Sequence, residues 1–158
     1  MATSSPANIS RVPGRITVGG TAIGVTKDIR FLPNEVYEPL TAEEFGHTTY
    51  KVFSITRAPK LICVLRSWDA AAVAAVFPTI PVGDLNPKTA SDMTGKEAEV
   101  RFIALNSTDP SIRLYRAVPM IADTGQMSFG YNSDIGLTLV FTALPDSSGR
   151  FYNIGAGV

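Results

Sequence analysis

Few side chains in this sequence are of a type that could carry chemistry, and their spacing does not assemble them. The single cysteine, Cys63, lies within the apolar run Leu61-Ile62-Cys63-Val64-Leu65. A nucleophilic thiol needs an electropositive, partly exposed niche. The nearest cations, Lys60 and Arg66, flank the run, so Cys63 reads as a small core residue. The single histidine, His47, follows Gly46 among threonines, and one cysteine plus one histidine cannot complete a zinc site of the usual N/S type. The close acidic pairs Glu43-Glu44 and Glu97/Glu99 could serve acid/base work only if one carboxylate had a shifted pKa, which spacing does not supply. They read as solvated charge.

The run Val18-Gly19-Gly20-Thr21-Ala22-Ile23-Gly24 has neither the G-x-G-x-x-G spacing nor a following Lys-Ser/Thr, so it is no phosphate loop. Trp68 could offer a flat platform to a sugar, but its place at the start of an alanine-rich stretch suits a packing anchor better. Arg113 and Arg116 flank Tyr115, and Arg101 precedes Phe102, without a basic cluster or a ribonucleoprotein motif. These arginines read as lining a solvated or inter-subunit face. No catalytic residue, metal or cofactor is expected.

The composition agrees with a non-catalytic, protein-facing role. The chain has 158 residues, is 45% apolar, and carries 14 basic against 14 acidic side chains, for zero net charge. Up to Thr79 there are eight basic against six acidic residues and beyond it six against eight, so neither part is a polycation suited to nucleic acid. Charged residues make up 18%, against about 25% in ordinary soluble domains. With mean hydropathy +0.14 the chain is too apolar to be mainly disordered. The first residues lack an apolar core of the kind a secretory signal has. The longest apolar run, Ala70–Phe77, falls well short of the about 20 residues that a membrane-spanning helix needs.

The elements that must position these residues are mostly strands. Residues 1–13, with Pro6 and Pro13, read as a flexible arm whose Ile9 and Val12 could dock on a neighbour. From Gly14 onward a single domain to 158 is expected. Arg15–Val18 and Thr21–Val25 alternate around Gly19-Gly20 as a hairpin, and Asp28–Leu32 follows as a strand. Residues 33–47 mix acids, aromatics and Pro39 with neither period, and so predict a long loop. Thr48–Arg57 and Lys60–Arg66 predict a hairpin about Ala58-Pro59. Ser67 as N-cap, an alanine-rich stretch and Pro78 predict a helix over about 67–77, and residues 79–96 predict an irregular connection. Strands return at Glu97–Leu105, Ser111–Ile121, Asp134–Ala143 and Arg150–Ile154. The expected fold is mainly β, an antiparallel β-sandwich or half-barrel with one flanking helix.

The order of several segments resembles a known family. Gly14–Gly24, with Val18-Gly19-Gly20-Thr21, is similar to the opening of the tail tube (major tail) proteins of long-tailed bacteriophages. Tyr37–Gly46, ending in Phe45-Gly46, resembles that family's long acidic loop; Lys60–Pro78 resembles its strand and central helix. Ala143-Leu144-Pro145-Asp146-Ser147-Ser148-Gly149-Arg150 resembles its C-terminal hairpin.

The resemblance implies a structural, non-enzymatic subunit that self-assembles into hexameric rings. The rings stack into the tube through which the genome is ejected. Partners would be other copies of the chain, the tape measure and other tail proteins. DNA would pass through the lumen without specific binding, and no membrane is involved. The place is the virion tail, assembled in the bacterial cytoplasm. Candidate interface residues are Ile9 and Val12 on the arm, and Phe31, Leu32, Val36, Tyr37, Leu40 and Phe45 on or entering the long loop. Rival readings are a tail terminator, head-completion or decoration protein, or a carbohydrate-binding β-sandwich module.

Overall fold

The computed structural model describes residues 14–41, 49–56, 58–66, 97–121, 136–156 and 158. The helix expected at 67–77 with Trp68, the arm residues Ile9 and Val12, Phe45, His47 and the connection 79–96 all lie outside them. The described chain is mainly β. Its strands are β1 (Gly14–Val18), β2 (Thr21–Ala22), β3 (Thr26–Leu32), β4 (Glu35–Thr41), β5 (Thr49–Thr56), β6 (Lys60–Leu65), β7 (Ala98–Ala104), β8 (Pro110–Ile121), β9 (Leu137–Leu144) and β10 (Tyr152–Ala156). Eight form one antiparallel sheet along the path β2-β1-β7-β8-β9-β6-β3, with β10 also on β8; β4 and β5 form a separate pair. Among the described residues there is no helix and no closed barrel.

The main sheet follows the alternation in the sequence. In β6 and β9 every second residue is buried, and their registered pairs Leu61↔Phe141, Cys63↔Leu139 and Leu65↔Leu137 make the centre of the core. A second set of rows crosses the other half of the sheet: Ile16↔Phe102 and Val18↔Val100 from β1 to β7, then Phe102↔Ile112 and Val100↔Leu114 to β8. The β1–β2 hairpin turns on Gly19 and Gly20, whose φ of 56° and 86° are cheap only for glycine. Burial raises the Cys63 thiol to about 12, so it is the core residue its setting suggested and has no thiolate to offer.

Three local expectations are corrected. First, residues 35–41 of the expected long loop form strand β4, paired with β5 from Glu35↔Thr56 to Leu40↔Lys51. Both faces of this pair carry exposed apolar and polar side chains, so no period-2 signal arises. Second, β5 and β6 are not a hairpin: β5 pairs with β4, whereas β6 pairs with β3 and β9. Ala58-Pro59 is a kink between consecutive strands rather than a reversal. Third, the residues around Pro145–Gly149 do not reverse the chain either. β9 pairs with β8 through Arg116↔Leu144 and β10 pairs with β8 through Tyr152↔Leu114, so the two strands follow one another along the same edge of β8. The intervening residues bulge out as a compact loop.

Asp146 holds that bulge. Its Oδ1 accepts the backbone N–H groups of Ser148 and Arg150 at 2.8 Å, and its Oδ2 accepts Arg150 Nε at 2.9 Å. The Arg150 backbone bond and, after it, the Arg150 guanidinium and the Ser148 N–H hold the Asp146 carboxyl below its usual range. The turn chemistry legible in the sequence is therefore real, but it serves a bulge.

Candidate subunit interface

The most distinctive surface is a two-stranded arm. β3 pairs with β6 down to Leu32↔Lys60, and β4 pairs with β5 starting from Glu35↔Thr56, so the four strands are one long ribbon. Its base belongs to the main sheet and its distal half leaves it. The break falls at Pro33-Asn34 on one side and at Ala58-Pro59 on the other. Asn34 and Ala58 both take left-handed backbone conformations, with φ of 50° and 43°. Asn34 is a residue type that tolerates this, while Ala58 bears a steric cost of about 1–2 kcal/mol. Asn34 Nδ2 donates to the Ala58 carbonyl at 2.9 Å, joining the two left-handed residues across the ribbon. The buried Pro59 then accepts the Ala143 N–H at 2.8 Å, which ties the kink to β9.

A single carboxylate ties the root of the arm to the end of the chain. Tyr152 OH on β10 donates to Glu35 Oε1 at 2.5 Å, and Tyr37 OH donates to Glu35 Oε2 at 2.9 Å. The Tyr152 ring meets Phe31 of β3 edge to face, with centroids 4.9 Å apart. Tyr152 and then Tyr37 stabilise the ionised carboxylate and lower the Glu35 pKa. The Glu35 bond, helped by partial burial, pushes Tyr152 up to about 12.

The signs of the two shifts define a pH window for this contact. A lowered Glu35 pKa means its contribution is present above the ordinary carboxylate range and is lost as pH falls through the lowered value. A raised Tyr152 pKa means its contribution is present below the ordinary phenol range and is lost as pH rises toward about 12. In an ultraviolet phenolate titration, Tyr152 is expected to ionise late, near pH 12, and Glu35→Gln is expected to bring that step down toward the ordinary range. Superimposable titrations of the two proteins would show that the bond does not hold in solution.

Beyond its root the arm is exposed. Backbone pairing sets Val36 and Glu38 opposite Ile55 and Phe53 on one face, and Tyr37 and Pro39 opposite Ser54 and Val52 on the other. Tyr37 is 63% exposed, Val52 54% and Phe53 47%. An isolated two-stranded hairpin is marginal in water, and apolar groups on both faces make this one a candidate for burial against another molecule.

Of the candidate interface residues, Val36 and Tyr37 lie exposed on the arm and Leu32 lies exposed at its base. Leu40 is on β4 opposite Lys51. Phe31 is different: half-buried, it packs on the core and on Tyr152, so it supports the arm from inside the subunit. Ile9, Val12 and Phe45 lie outside the described residues. Sequence reasoning missed Val52 and Phe53. Their signal was available, since adjacent apolar residues of opposite parity in a strand need cover on both faces.

The arginines are engaged within the subunit. Glu99 accepts Arg101 Nε at 2.6 Å and Arg113 Nε at 2.7 Å, while Arg116 reaches Glu97 and the Pro145 carbonyl, both at 3.1 Å. Arg113 and Arg150 lie over the Tyr115 ring at 5.0 and 4.5 Å. This cluster clamps the β9–β10 bulge on β8 rather than presenting unpaired cations. Among the described residues no group of three His, Cys, Asp or Glu side chains could hold a metal, and no helix is long and apolar enough to cross a membrane.

These features describe a β-rich chain with a projecting, apolar-decorated ribbon. No protein-family model matches it, and no curated protein matches its sequence.

Proposed function

We propose that this chain is a structural virion protein, a tail tube subunit that self-assembles into stacked, hexameric rings forming the conduit for genome ejection. The observation that carries this reading is the β4–β5 arm, which exposes Val36, Tyr37, Val52 and Phe53 beyond the edge of the main sheet. An arm that meets a different surface of the next copy makes a heterologous contact, and repeated heterologous contacts close into rings or extend as filaments. The low charge content and zero net charge favour such association. The order of sequence segments that resembles tail tube proteins gives the reading its particular form. In it the main sheet is one wall of a sandwich or half-barrel, covered by a helix at 67–77.

The role is non-enzymatic. Its partners are copies of itself, the tape measure and other tail proteins, with DNA passing through without specific contact. It acts in the virion tail after assembly in the bacterial cytoplasm. Negative-stain electron microscopy of the purified protein across a concentration series tests this directly. Stacked rings or long hollow tubes are expected at high concentration. Uniformly dispersed monomers would overturn self-assembly and favour a capsid-bound accessory. Saturable glycan binding by such monomers would favour a carbohydrate-binding module.

A further inference from the structure

The arm leaves the main sheet at a joint that the strand ladder does not cross. The last registered pair of the base is Leu32↔Lys60 and the first of the arm is Glu35↔Thr56, so two residues on one side, 33–34, stand against three on the other, 57–59. One extra residue on one strand of a pair bends it and turns it out of the sheet. The sheet side of the joint is fixed, because Pro59 is fully buried and its carbonyl accepts the Ala143 N–H at 2.8 Å. Across the joint, Asn34 Nδ2 donates to the Ala58 carbonyl at 2.9 Å, and both residues are left-handed. A left-handed alanine persists only where its surroundings hold it.

Beyond the joint the arm is a lever. Among the described residues, β4 and β5 pack mainly on each other. The seven residues of β4 reach about 20 Å, so a turn of about 15° at the root moves the far end by about 5 Å. Whatever fixes the root therefore fixes where the exposed Val36, Tyr37, Val52 and Phe53 are presented.

The first registered residue of the arm reaches back over the joint. Glu35 Oε1 accepts the Tyr152 hydroxyl at 2.5 Å. Tyr152 is a fixed point of the sheet: β10 is paired with β8 at Tyr152↔Leu114, and the half-buried ring packs edge to face on Phe31. Tyr37, on the same side of β4 as Glu35, donates to Glu35 Oε2 at 2.9 Å and holds the carboxylate from the arm. A hydrogen bond to an ionised acceptor is roughly twice as strong as one between neutral groups. The Tyr152–Glu35 bond is the largest cause of both the lowered Glu35 pKa and the raised Tyr152 pKa. One carboxylate thus spans the joint, with a phenol donor on either side.

We propose that the joint is a hinge and that Glu35 is its latch: bonded to Tyr152 it fixes the angle of the arm to the main sheet, and unbonded it lets the arm swing as an intact ribbon. An arm held at one angle loses less freedom when another molecule covers it. The latch works within one chain, independent of the tail tube reading, and is read on dilute monomers.

The test is the distance between nitroxide labels on the full-length chain, carried by Val52→Cys on the arm and Ser107→Cys in the exposed turn between β7 and β8. Cys63 does not compete for label, because it is buried and its thiol is raised to about 12. The distance distribution is expected to be narrow with Glu35 and Tyr152 in place. Tyr152→Phe, which keeps the ring on Phe31 and removes only the hydroxyl, is expected to widen it at least twofold. Glu35→Ala is expected to widen it equally, and the two changes together no further, while amide exchange along β4 and β5 stays unchanged. A distribution already wide with both residues present, or one of equal width without the Tyr152 hydroxyl, would overturn the latch. Additive widening in the double variant would overturn it too, since the two groups would then act separately. Faster amide exchange along β4 and β5 in Tyr152→Phe would overturn the hinge, because the arm would then melt rather than swing.

Discussion

Replacing Tyr37 and Val52 together with serine is expected to abolish ring and tube formation while leaving a folded monomer. The two residues lie on the same face of the arm, and both expose more than half of their surface. Truncating them removes little that the free subunit buries. In the proposed ring the same side chains would be covered, and losing two central apolar anchors is expected to cost about 2–4 kcal/mol per interface. Every subunit in a ring gives and receives one such contact, so the loss recurs at each junction. Sedimentation velocity and electron microscopy at matched concentration check the assembly, and thermal unfolding checks the monomer. Tyr37→Phe separates the two roles of this residue, because it keeps the exposed ring and removes only the hydroxyl that donates to Glu35. Rings formed by the double variant would remove the arm from the interface. An unfolded double variant would show that the arm packs on its own subunit.

Phe141→Ala is expected to be the most damaging single change to the fold, lowering stability by about 3–5 kcal/mol. Phe141 is fully buried on β9, opposite Leu61 of β6 on one side and Pro119 of β8 on the other. Truncation leaves a cavity in the middle of the sheet, where strands hydrogen-bonded on both edges cannot collapse to fill it. Met120→Ala on the neighbouring strand is the control. Met120 is 40% exposed and pairs with Val140, so its loss is expected to cost about 1 kcal/mol or less. Urea denaturation of the two variants checks both values through the shift in midpoint. Equal shifts would place β9 at the periphery of the core.

How much of this was legible in the chain follows from where each strand lies. β9 is half-buried on one face and buried on the other, so Leu137, Leu139 and Phe141 carry a readable period of two, whereas β6 is apolar from Leu61 to Leu65 and only the structure selects Leu61, Cys63 and Leu65 as its buried face. The β1–β2 turn was legible because Gly19 and Gly20 occupy backbone conformations that few other residues accept. The arm was not, because neither of its faces is buried in the subunit. Glu35-Val36-Tyr37-Glu38-Pro39 therefore obeys no alternation, and Pro39 is tolerated in a two-stranded ribbon where a central strand would reject it.

By itself, then, the sequence determined the mainly β class of fold, the Gly19-Gly20 turn and the inert setting of Cys63. These are local properties, set by side-chain period, backbone preference and composition. Only the tertiary structure decided which strand pairs with which. Pro145–Gly149 has the same turn chemistry whether the chain reverses or bulges, and the choice rests on β10 finding β8, whose partners lie some forty residues back. It alone brought Tyr152 to Glu35, 117 positions apart, and so anchored the arm. Pairing over such separations depends on the whole sheet being in place, and no window of sequence contains that information.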